Sequence, residues 1–487
     1  MLFNSLNFLL FFIIVFSLYW FVFGRRLAWQ NLFLMLASYV FYAFWDWRFL
    51  FLLIFSTCLD FVSGIQIYRA KSDKLRRLYL VLSVGINLGF LGVFKYYNFF
   101  ADSLARLLEA GGIHTHWTLL SIVLPVGISF YTFHGLSYVF DIYNRKIEPS
   151  YNFVNYSLFV SFFPLLVAGP IERATHLLPQ VEKPRQFSYE QACDGITQIL
   201  WGLFKKVVIA DGCAQFANQI FNESGQFGGI TLFAGAALFA FQIYGDFSGY
   251  SDMAMGVSKL LGFELLRNFN YPYFSRSIPE FWRRWHISLS SWFRDYLYIP
   301  LGGSRGGRWH SLRNLIIIFV VSGFWHGANW TFVVWGLLNA LYYIPSLLFK
   351  SNRDHMNTVA EDRALPNFKE LMQMMATFIM TVFAWVFFRA PSVQFAFSYC
   401  HRILLAAFDL NAYKEMLTYV RWTVGLPMVL ILLCFTVLEW VGRRELHPLL
   451  VFRKHIPKPA RHALYYVILI VVFLFAGKQQ QFIYFQF

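Results

Sequence analysis

His326 is the residue whose type and position could do chemistry. It lies within residues 323–329, inside a long apolar segment between Arg313 and Lys350. A neutral imidazole can take a proton from an attacking hydroxyl group and return it to a leaving thiol, as acyl transfer requires. An ionisable side chain is costly at membrane depth and usually marks a functional site there. The alternative is a packing role through a hydrogen bond, with Trp325 and Trp330 as interface anchors.

The segment that holds His326 is too long for one crossing of a membrane. A straight helix over residues 314–349 would extend about 54 Å at 1.5 Å per residue, whereas the apolar core of a bilayer is about 30 Å thick. We therefore predict a helical hairpin, or two half-spans, broken within residues 323–329. Glycine loosens the first helix there, and Asn329 can cap the second.

The composition excludes a soluble protein. Hydrophobic residues make up 58% of the chain and charged residues 14%, against about 45–50% and about 25% in soluble domains. Apolar runs recur, and we expect roughly ten to twelve transmembrane or re-entrant helices. The predicted fold class is an all-α polytopic integral membrane protein with interfacial amphipathic helices. We expect one domain over residues 1–487, with peripheral spans in 1–100, a core in 119–349 and further spans in 370–487.

The net charge of +15 indicates membrane lipids, and not nucleic acid, as the partner of the basic residues. Those residues lie in short loops between apolar runs, where they orient the chain and meet anionic head groups. The positive-inside rule predicts that both the N-terminus and the C-terminus are extracytoplasmic. The five cysteines are isolated from one another, so we expect neither a disulfide framework nor a metal site.

A second histidine, His286, lies in a tryptophan-rich basic stretch. Ser277 and Glu280 have the spacing of a capping box, and apolar residues recur with helical periodicity through residues 281–296. The pattern predicts an amphipathic helix in the membrane interface, with His286 directed toward its apolar side. His286 then has either a direct role in chemistry or a structural role in anchoring that helix.

Asp246 and Asp252 follow an apolar run and form a further candidate. Their spacing does not fit a calcium loop, which needs a denser ladder of oxygen ligands. Capping and a hydrogen-bond network are the main interpretation, and orientation of a substrate is the alternative.

Arg305 and Arg308 lie in a glycine-rich cationic loop at residues 302–308 that we place on the cytoplasmic side. Backbone N–H groups and arginines of such a loop could hold the phosphates of coenzyme A. The loop lacks the Gly-Lys-Ser/Thr ending of a phosphate-binding loop, and a plain positive-inside turn is the competing interpretation.

The segments named so far resemble a known family. Trp325-His326-Gly327-Ala328-Asn329-Trp330 resembles the invariant-histidine motif of the membrane-bound O-acyltransferase (MBOAT) family. The stretches at 246–254, 281–290 and 294–299 match the bacterial branch of that family that acts in alginate O-acetylation. The matching blocks extend from about residue 94 to residue 339, in the order and spacing of the family.

The resemblance implies a cup- or ring-shaped helical protein in the bacterial inner membrane, with two funnels that meet at a passage lined by the invariant histidine. His326 corresponds to that histidine and is the implied general base, and His286 corresponds to the second conserved histidine. The implied acyl donor is acetyl-CoA, with no bound cofactor. The implied partners are an extracytoplasmic serine-dependent acetyltransferase, or another acyl-accepting protein, and a polysaccharide acceptor. Residues expected along the passage or at the donor are Trp325, Asn329, Asp246, Arg305 and Arg308.

Four alternatives stay open at the level of sequence. Within the enzyme class, the acceptor could be peptidoglycan instead of an exopolysaccharide such as alginate, or the reaction could be D-alanyl transfer to teichoic acid. In another class, the chain could be a transporter or channel for an activated acyl or sugar group, although charged pathway residues are scarce. A non-catalytic scaffold for an export complex is the last alternative, and the intact histidine motifs argue against it.

Overall fold

The computed structural model describes residues 1–114, 123–478, 480, 482 and 483. These residues form helices and the segments that connect them, and no strand occurs among them. In the described part of the chain, six helical segments are long and apolar enough to cross a membrane: Arg48–Arg69, Asp73–Ala110, Gly229–Leu260, Trp330–Leu348, Phe368–Arg389 and Lys458–Phe475. Leu410–Val424 and Leu426–Gly442 form a bent pair, and if that pair is one span, the number of candidate spans among the described residues rises to seven. The prediction of an all-α polytopic membrane protein is confirmed.

The expected ten to twelve spans included runs that fold into shorter helices. Two apolar segments, Leu6–Val22 and Leu27–Ala43, are of this kind. The apolar run over residues 153–168 contains a helix of only 9 residues, Phe153–Ser161. Hydropathy identifies apolar runs, but it does not determine where a helix ends within such a run. The number of long helices is therefore smaller than the number of spans that we expected.

The chain divides into two compact units. The first consists of Met1–Ala192 and Val257–Leu266, and the second of Cys193–Gly256 and Arg267–Phe487. The expected single domain over residues 1–487 stays a prediction, and residues 119–122 of its expected core lie outside the described residues.

The first unit contains eight complete helices in its described part. They are α1 (Leu6–Ser17), α2 (Leu27–Ala43), α3 (Arg48–Arg69), α4 (Asp73–Leu91), α5 (Tyr97–Ala110), α6 (Ile128–Tyr143), α7 (Phe153–Ser161) and α8 (Ala174–Glu182). A buried carboxylate joins α3 to α4: Oδ1 of Asp60 accepts hydrogen bonds from Ser83 Oγ at 2.7 Å and Asn87 Nδ2 at 2.8 Å. Gly135 of α6 leaves the space that the Asp60 carboxylate occupies.

The second unit holds both candidate histidines. Its helices are α9 (Tyr189–Leu203), α10 (Asp211–Asn222), α11 (Gly229–Leu260), α12 (Ile278–Arg284), α13 (Ile287–Phe293), α14 (Gly307–His326), α15 (Trp330–Leu348), α16 (Phe368–Arg389), α17 (Val393–Leu405), α18 (Leu410–Tyr419), α19 (Leu426–Gly442), α20 (Leu449–His455) and α21 (Lys458–Phe475). The first residues of α9 and the last residues of α11 belong to the first unit.

The predicted hairpin around His326 is confirmed. Helix α14 ends at His326, Gly327 is extended, and α15 begins at Trp330. Asn329 caps α15 as predicted, because its Oδ1 accepts a hydrogen bond from the backbone N–H of Thr331 at 3.0 Å. Glycines at the contact let the two helices approach closely: a Cβ atom at Gly323 would collide with the backbone of Phe332.

The predicted continuous amphipathic helix over residues 281–296 is wrong. Helix α12 ends at Arg284, and α13 begins only at Ile287. The capping box is also only half formed. Ser277 Oγ does accept from the backbone N–H of Glu280 at 3.3 Å, but the Glu280 carboxylate turns to Arg276, whose N–H donates to it at 2.8 Å.

Candidate active site

The backbone of His286 makes the break between α12 and α13. His286 has φ 44° and ψ 54°, which is the left-handed region. Histidine is among the non-glycine residues that are enriched there, yet the conformation costs of the order of 1–3 kcal/mol and needs support from its surroundings. Two hydrogen bonds to an upstream segment supply that support: Asn270 N–H donates to the Arg284 carbonyl and Ile287 N–H to the Asn268 carbonyl, each at 2.9 Å.

The side chain of Asn268 holds the His286 ring. Oδ1 of Asn268 lies 3.0 Å from Nδ1 of His286 and accepts from Ser288 Oγ at 2.9 Å and from Ser288 N–H at 3.4 Å. The Nδ2 group of Asn268 donates to Ser251 Oγ at 3.2 Å. All four residues are buried. This network ties α11, the 268–270 segment and α13 to one imidazole.

Aromatic rings also contact the His286 ring. The Phe247 ring meets it edge-on, with ring centroids 4.6 Å apart, and Phe269 lies at 6.4 Å. His286 lies outside the membrane-spanning helices, and burial lowers its pKa from 6.5 to about 3. A charged imidazole is disfavoured in so dry a place, so His286 is neutral at physiological pH.

His326 lies at the end of α14 in a cage of aromatic side chains. Its ring centroid is 4.9 Å from that of Trp325, 5.2 Å from Trp335 and 5.3 Å from Phe388. The residue is 5% exposed. The cage keeps water away from the ring and limits the directions from which another molecule can reach it.

The two histidines are neighbours. Their ring centroids lie 6.4 Å apart, and the Trp325 ring is 6.1 Å from that of His286. The break between α12 and α13 therefore meets the break between α14 and α15. The structure brings together His286, Trp325 and His326, which are three of the predicted site residues.

The other predicted residues have different positions. Asn329 is three residues beyond His326, where it caps α15 and donates to the Pro391 carbonyl at 3.3 Å. Asp246 is buried and lies 2.8 Å from Lys206, next in sequence to the Phe247 that touches His286. Arg305 and Arg308 are exposed at the opposite end of α14, and Arg308 is about 27 Å from His326 along the helix axis.

Two buried lysines form ion pairs near the site, and the sequence analysis did not identify them. Lys205 and Lys206 are buried in the apolar run over residues 196–210. Lys205 Nζ lies 2.5 Å from Asp252, and Lys206 Nζ lies 2.8 Å from both Asp211 and Asp246. The signal available in the sequence was the lysine pair itself, because two cations inside an apolar run require acidic partners. The capping and hydrogen-bond interpretation of Asp246 and Asp252 misses these ion pairs.

A small polar cavity lies beside the Asn268 network. It has a volume of about 10 Å³, and its wall includes Asn268, Ser251, Asp252, Lys205 and Gln198. That space suits a single water molecule with several polar partners. A larger, apolar cavity of about 220 Å³ shares Tyr244, Tyr271 and Glu439 with it.

Several apolar helices together with two buried histidines at two helix breaks define an integral membrane protein of the acyltransferase class. The comparison with protein families agrees: the family described as "MBOAT, membrane-bound O-acyltransferase family" matches residues 143–389. The chain belongs to this family. It is a multi-pass membrane protein and an acyltransferase.

Relatives cover most of the chain. A protein named probable alginate O-acetylase AlgI from Pseudomonas aeruginosa is 37% identical over 92% of this chain and 82% of its own length. The peptidoglycan O-acetyltransferase of Helicobacter pylori is 36% identical over 81% of this chain and 78% of its own length. The teichoic acid D-alanyltransferase of Bacillus subtilis is 29% identical over 45% of this chain and 58% of its own length. The roles of His326 and His286 themselves stay predictions.

Proposed function

We propose that this protein transfers an acetyl group from a cytoplasmic thioester, acetyl-CoA, across the inner membrane for O-acetylation of an exopolysaccharide such as alginate. The observation that carries the proposal is the position of His326 at the end of α14, caged by aromatic rings and 6.4 Å from a second buried histidine. The names of the alginate relatives support the choice of acetyl group and acceptor.

The proposed chemistry is a direct acyl transfer. The acceptor oxygen attacks the thioester carbonyl carbon, so a C–O bond forms and the C–S bond breaks. His326 takes the hydroxyl proton during the attack and returns it to the leaving thiolate. The aromatic cage of Trp325, Trp335 and Phe388 supports this role, because excluding water protects the thioester from hydrolysis.

The remaining predicted residues act around the reacting atoms. Arg305 and Arg308 bind donor phosphates at the cytoplasmic entrance, since they are exposed and far from His326 along α14. Trp325 packs against both histidines and shapes the passage. Asn329 fixes the start of α15, and Asp246 fixes the Lys206 side chain beside Phe247.

The acceptor side is part of the same proposal. An extracytoplasmic serine-dependent acetyltransferase, or another acyl-accepting protein, takes the acetyl group and passes it to the polysaccharide. The whole chain forms one membrane domain, and both termini face outward. The basic loops, which the positive-inside rule places in the cytoplasm, support this orientation.

Sealed vesicles test the proposal. Purified protein is reconstituted with acetyl-CoA labelled in the acetyl group inside, and the partner enzyme with polysaccharide outside. We expect labelled acetate esters outside with the wild type, and a rate lower by about two orders of magnitude or more with His326→Ala, as for loss of a general base. His310→Ala is the matched control, because His310 is an exposed histidine on the same helix.

Transfer at the wild-type rate by His326→Ala would contradict the enzymatic role. Export of intact coenzyme A or of free sugar would favour a transporter, and absence of any label transfer by the wild type with all partners present would favour a scaffold. The topology is tested separately by labelling of single cysteines placed at each terminus.

Acetylation of peptidoglycan is the second candidate function. The Helicobacter pylori relative, named for that reaction, is nearly as similar as the alginate relatives. The same vesicles with peptidoglycan fragments as acceptor distinguish the two. D-alanyl transfer is a more distant candidate, since the relative with that name matches under half of this chain.

A further inference from the structure

The hydrogen bonds of Asn268 determine which nitrogen of His286 carries the proton. The backbone N–H of Ser288 can only donate, and it points to the same Asn268 atom as Nδ1 of His286. That atom must therefore be the amide oxygen, because the flipped amide would place N–H against N–H. An oxygen accepts, so Nδ1 of His286 is the protonated nitrogen and Nε2 carries the lone pair.

The unprotonated nitrogen has an unused capacity to accept a hydrogen bond. Nε2 of His286 is buried and has no hydrogen-bond partner among the residues that the structure describes. A buried acceptor without a partner costs about 1–3 kcal/mol, so such groups usually have a function or a missing partner. The ring that carries this acceptor is 6.4 Å from that of His326, the proposed base.

We propose that Nε2 of His286 accepts a hydrogen bond from a substrate N–H or O–H group next to the reacting atoms, and that Asn268 is the positioning residue that holds His286 in this tautomer. This inference rests on the proposed function and assigns different roles to the two histidines. His326 moves the proton, whereas His286 binds and orients the substrate without changing its own protonation state.

Two sources provide a suitable donor group. The thioester donor carries amide N–H groups in the arm that leads to its sulfur atom, and a sugar acceptor carries hydroxyl groups beside the one that reacts. Both satisfy a neutral imidazole nitrogen equally well. A variant that lacks the acceptor nitrogen distinguishes them. If the thioester donates the hydrogen bond, the KM for the thioester rises in that variant, and if the sugar donates it, the KM for the sugar rises.

A pair of substitutions at His286 separates substrate binding from structure. His286→Asn places an amide where Nδ1 was, so it keeps the bond to Asn268 and a side chain that tolerates the left-handed backbone, but it lacks the distal nitrogen. His286→Gln carries an amide oxygen near the position of Nε2. We expect His286→Asn to lower kcat/KM by roughly tenfold to a hundredfold, as for a lost hydrogen bond to a buried group, and His286→Gln to lose less.

The same assay defines the results against the proposal. A wild-type kcat and KM in His286→Asn would show that only the bond to Asn268 matters, which overturns the substrate-binding role. Equal losses in His286→Asn and His286→Gln, with unchanged thermal unfolding, would overturn it as well. If His326→Ala transfers at the wild-type rate, the proposed function fails instead, whatever the His286 variants do.

The tautomer is measured in the wild-type protein, and a variant is needed only to assign the signals. The ¹⁵N chemical shifts of histidine separate protonated from unprotonated ring nitrogens, and the His286 signals are assigned by their absence in His286→Gln. We expect a protonated Nδ1 and an unprotonated Nε2. In Asn268→Leu, which cannot accept a hydrogen bond, we expect a mixture of tautomers and a higher KM for the substrate that donates. A protonated Nε2 in the wild type would overturn the proposal.

Discussion

Nζ of Lys206 lies 2.8 Å from Oδ1 of Asp246, and both side chains are almost fully buried in the second unit. The same ammonium group lies 2.8 Å from Asp211. One buried cation is thus shared by two carboxylates, one of which precedes the Phe247 that packs on His286. We therefore expect the position of a candidate catalytic residue to depend on a charge network that contains no candidate catalytic group.

Removal of that cation tests this dependence. We expect Lys206→Met to destabilise the protein by about 3–5 kcal/mol, because it leaves two buried carboxylates without their partner. Thermal unfolding in detergent and the yield of folded protein measure the effect. Lys454→Met is the control, since Lys454 pairs with Glu445 at the surface, where such a pair contributes about 0–1 kcal/mol. Equal stability of the two variants would contradict the structural importance of the buried pair.

The glycines between α14 and α15 give a second prediction. A Cβ atom at Gly323 or Gly336 would collide with the backbone of the facing helix. We expect Gly336→Ala to separate the two helices, to destabilise the protein by about 1–3 kcal/mol as overpacking does, and to displace His326 from its cage. Thermal unfolding should therefore occur at a lower temperature than in the wild type, and the rate of acetyl transfer should be lower.

Glycines of α4 are the matched control for that prediction. A Cβ atom at Gly85 or Gly89 has no neighbour within 4 Å in the described part of the chain. Alanine favours a helix over glycine by about 0.8–1 kcal/mol, so Gly89→Ala should leave the protein unchanged or slightly more stable. If Gly336→Ala behaved in the same way, close approach of α14 and α15 would not be needed for the site.

The cap of α15 gives a third prediction. Asn329→Ala removes the acceptor of the Thr331 N–H and should cost about 1 kcal/mol, whereas Asn329→Asp should keep the cap. Because the cap lies three residues after His326, we also expect a lower kcat in the alanine variant with little change in KM. The vesicle assay measures both values. A normal kcat in Asn329→Ala would show that the start of α15 does not determine the position of His326.

The exposed arginines give a fourth prediction. Arg305→Ala together with Arg308→Ala should raise the KM for acetyl-CoA and leave protein stability within about 0.5 kcal/mol, as for surface substitutions away from structural features. Their proposed contact is with donor phosphates, so the effect should shrink at high salt. An unchanged KM at low salt would identify the loop as an orienting turn only.

Local pattern predicted the hairpin well. The break at residues 323–329 and the cap at Asn329 follow from segment length, glycine and a capping side chain, all of which act between residues close in sequence. The same reasoning failed at residues 281–296. Helical periodicity continues through Trp285 and His286, but backbone hydrogen bonds to Asn268 and Asn270 interrupt the helix.

The sequence by itself determined that this protein is a helical membrane acyltransferase with His326 at a helix break, because composition, periodicity and motif are properties of the chain alone. Only the tertiary structure decided that His286 lies beside His326, that Asn268 contacts Nδ1 of His286 and that Lys206 pairs with Asp246. These relationships join residues 18 to 40 positions apart on different elements. Their energy comes from burial and hydrogen-bond geometry that exist only once the helices are packed.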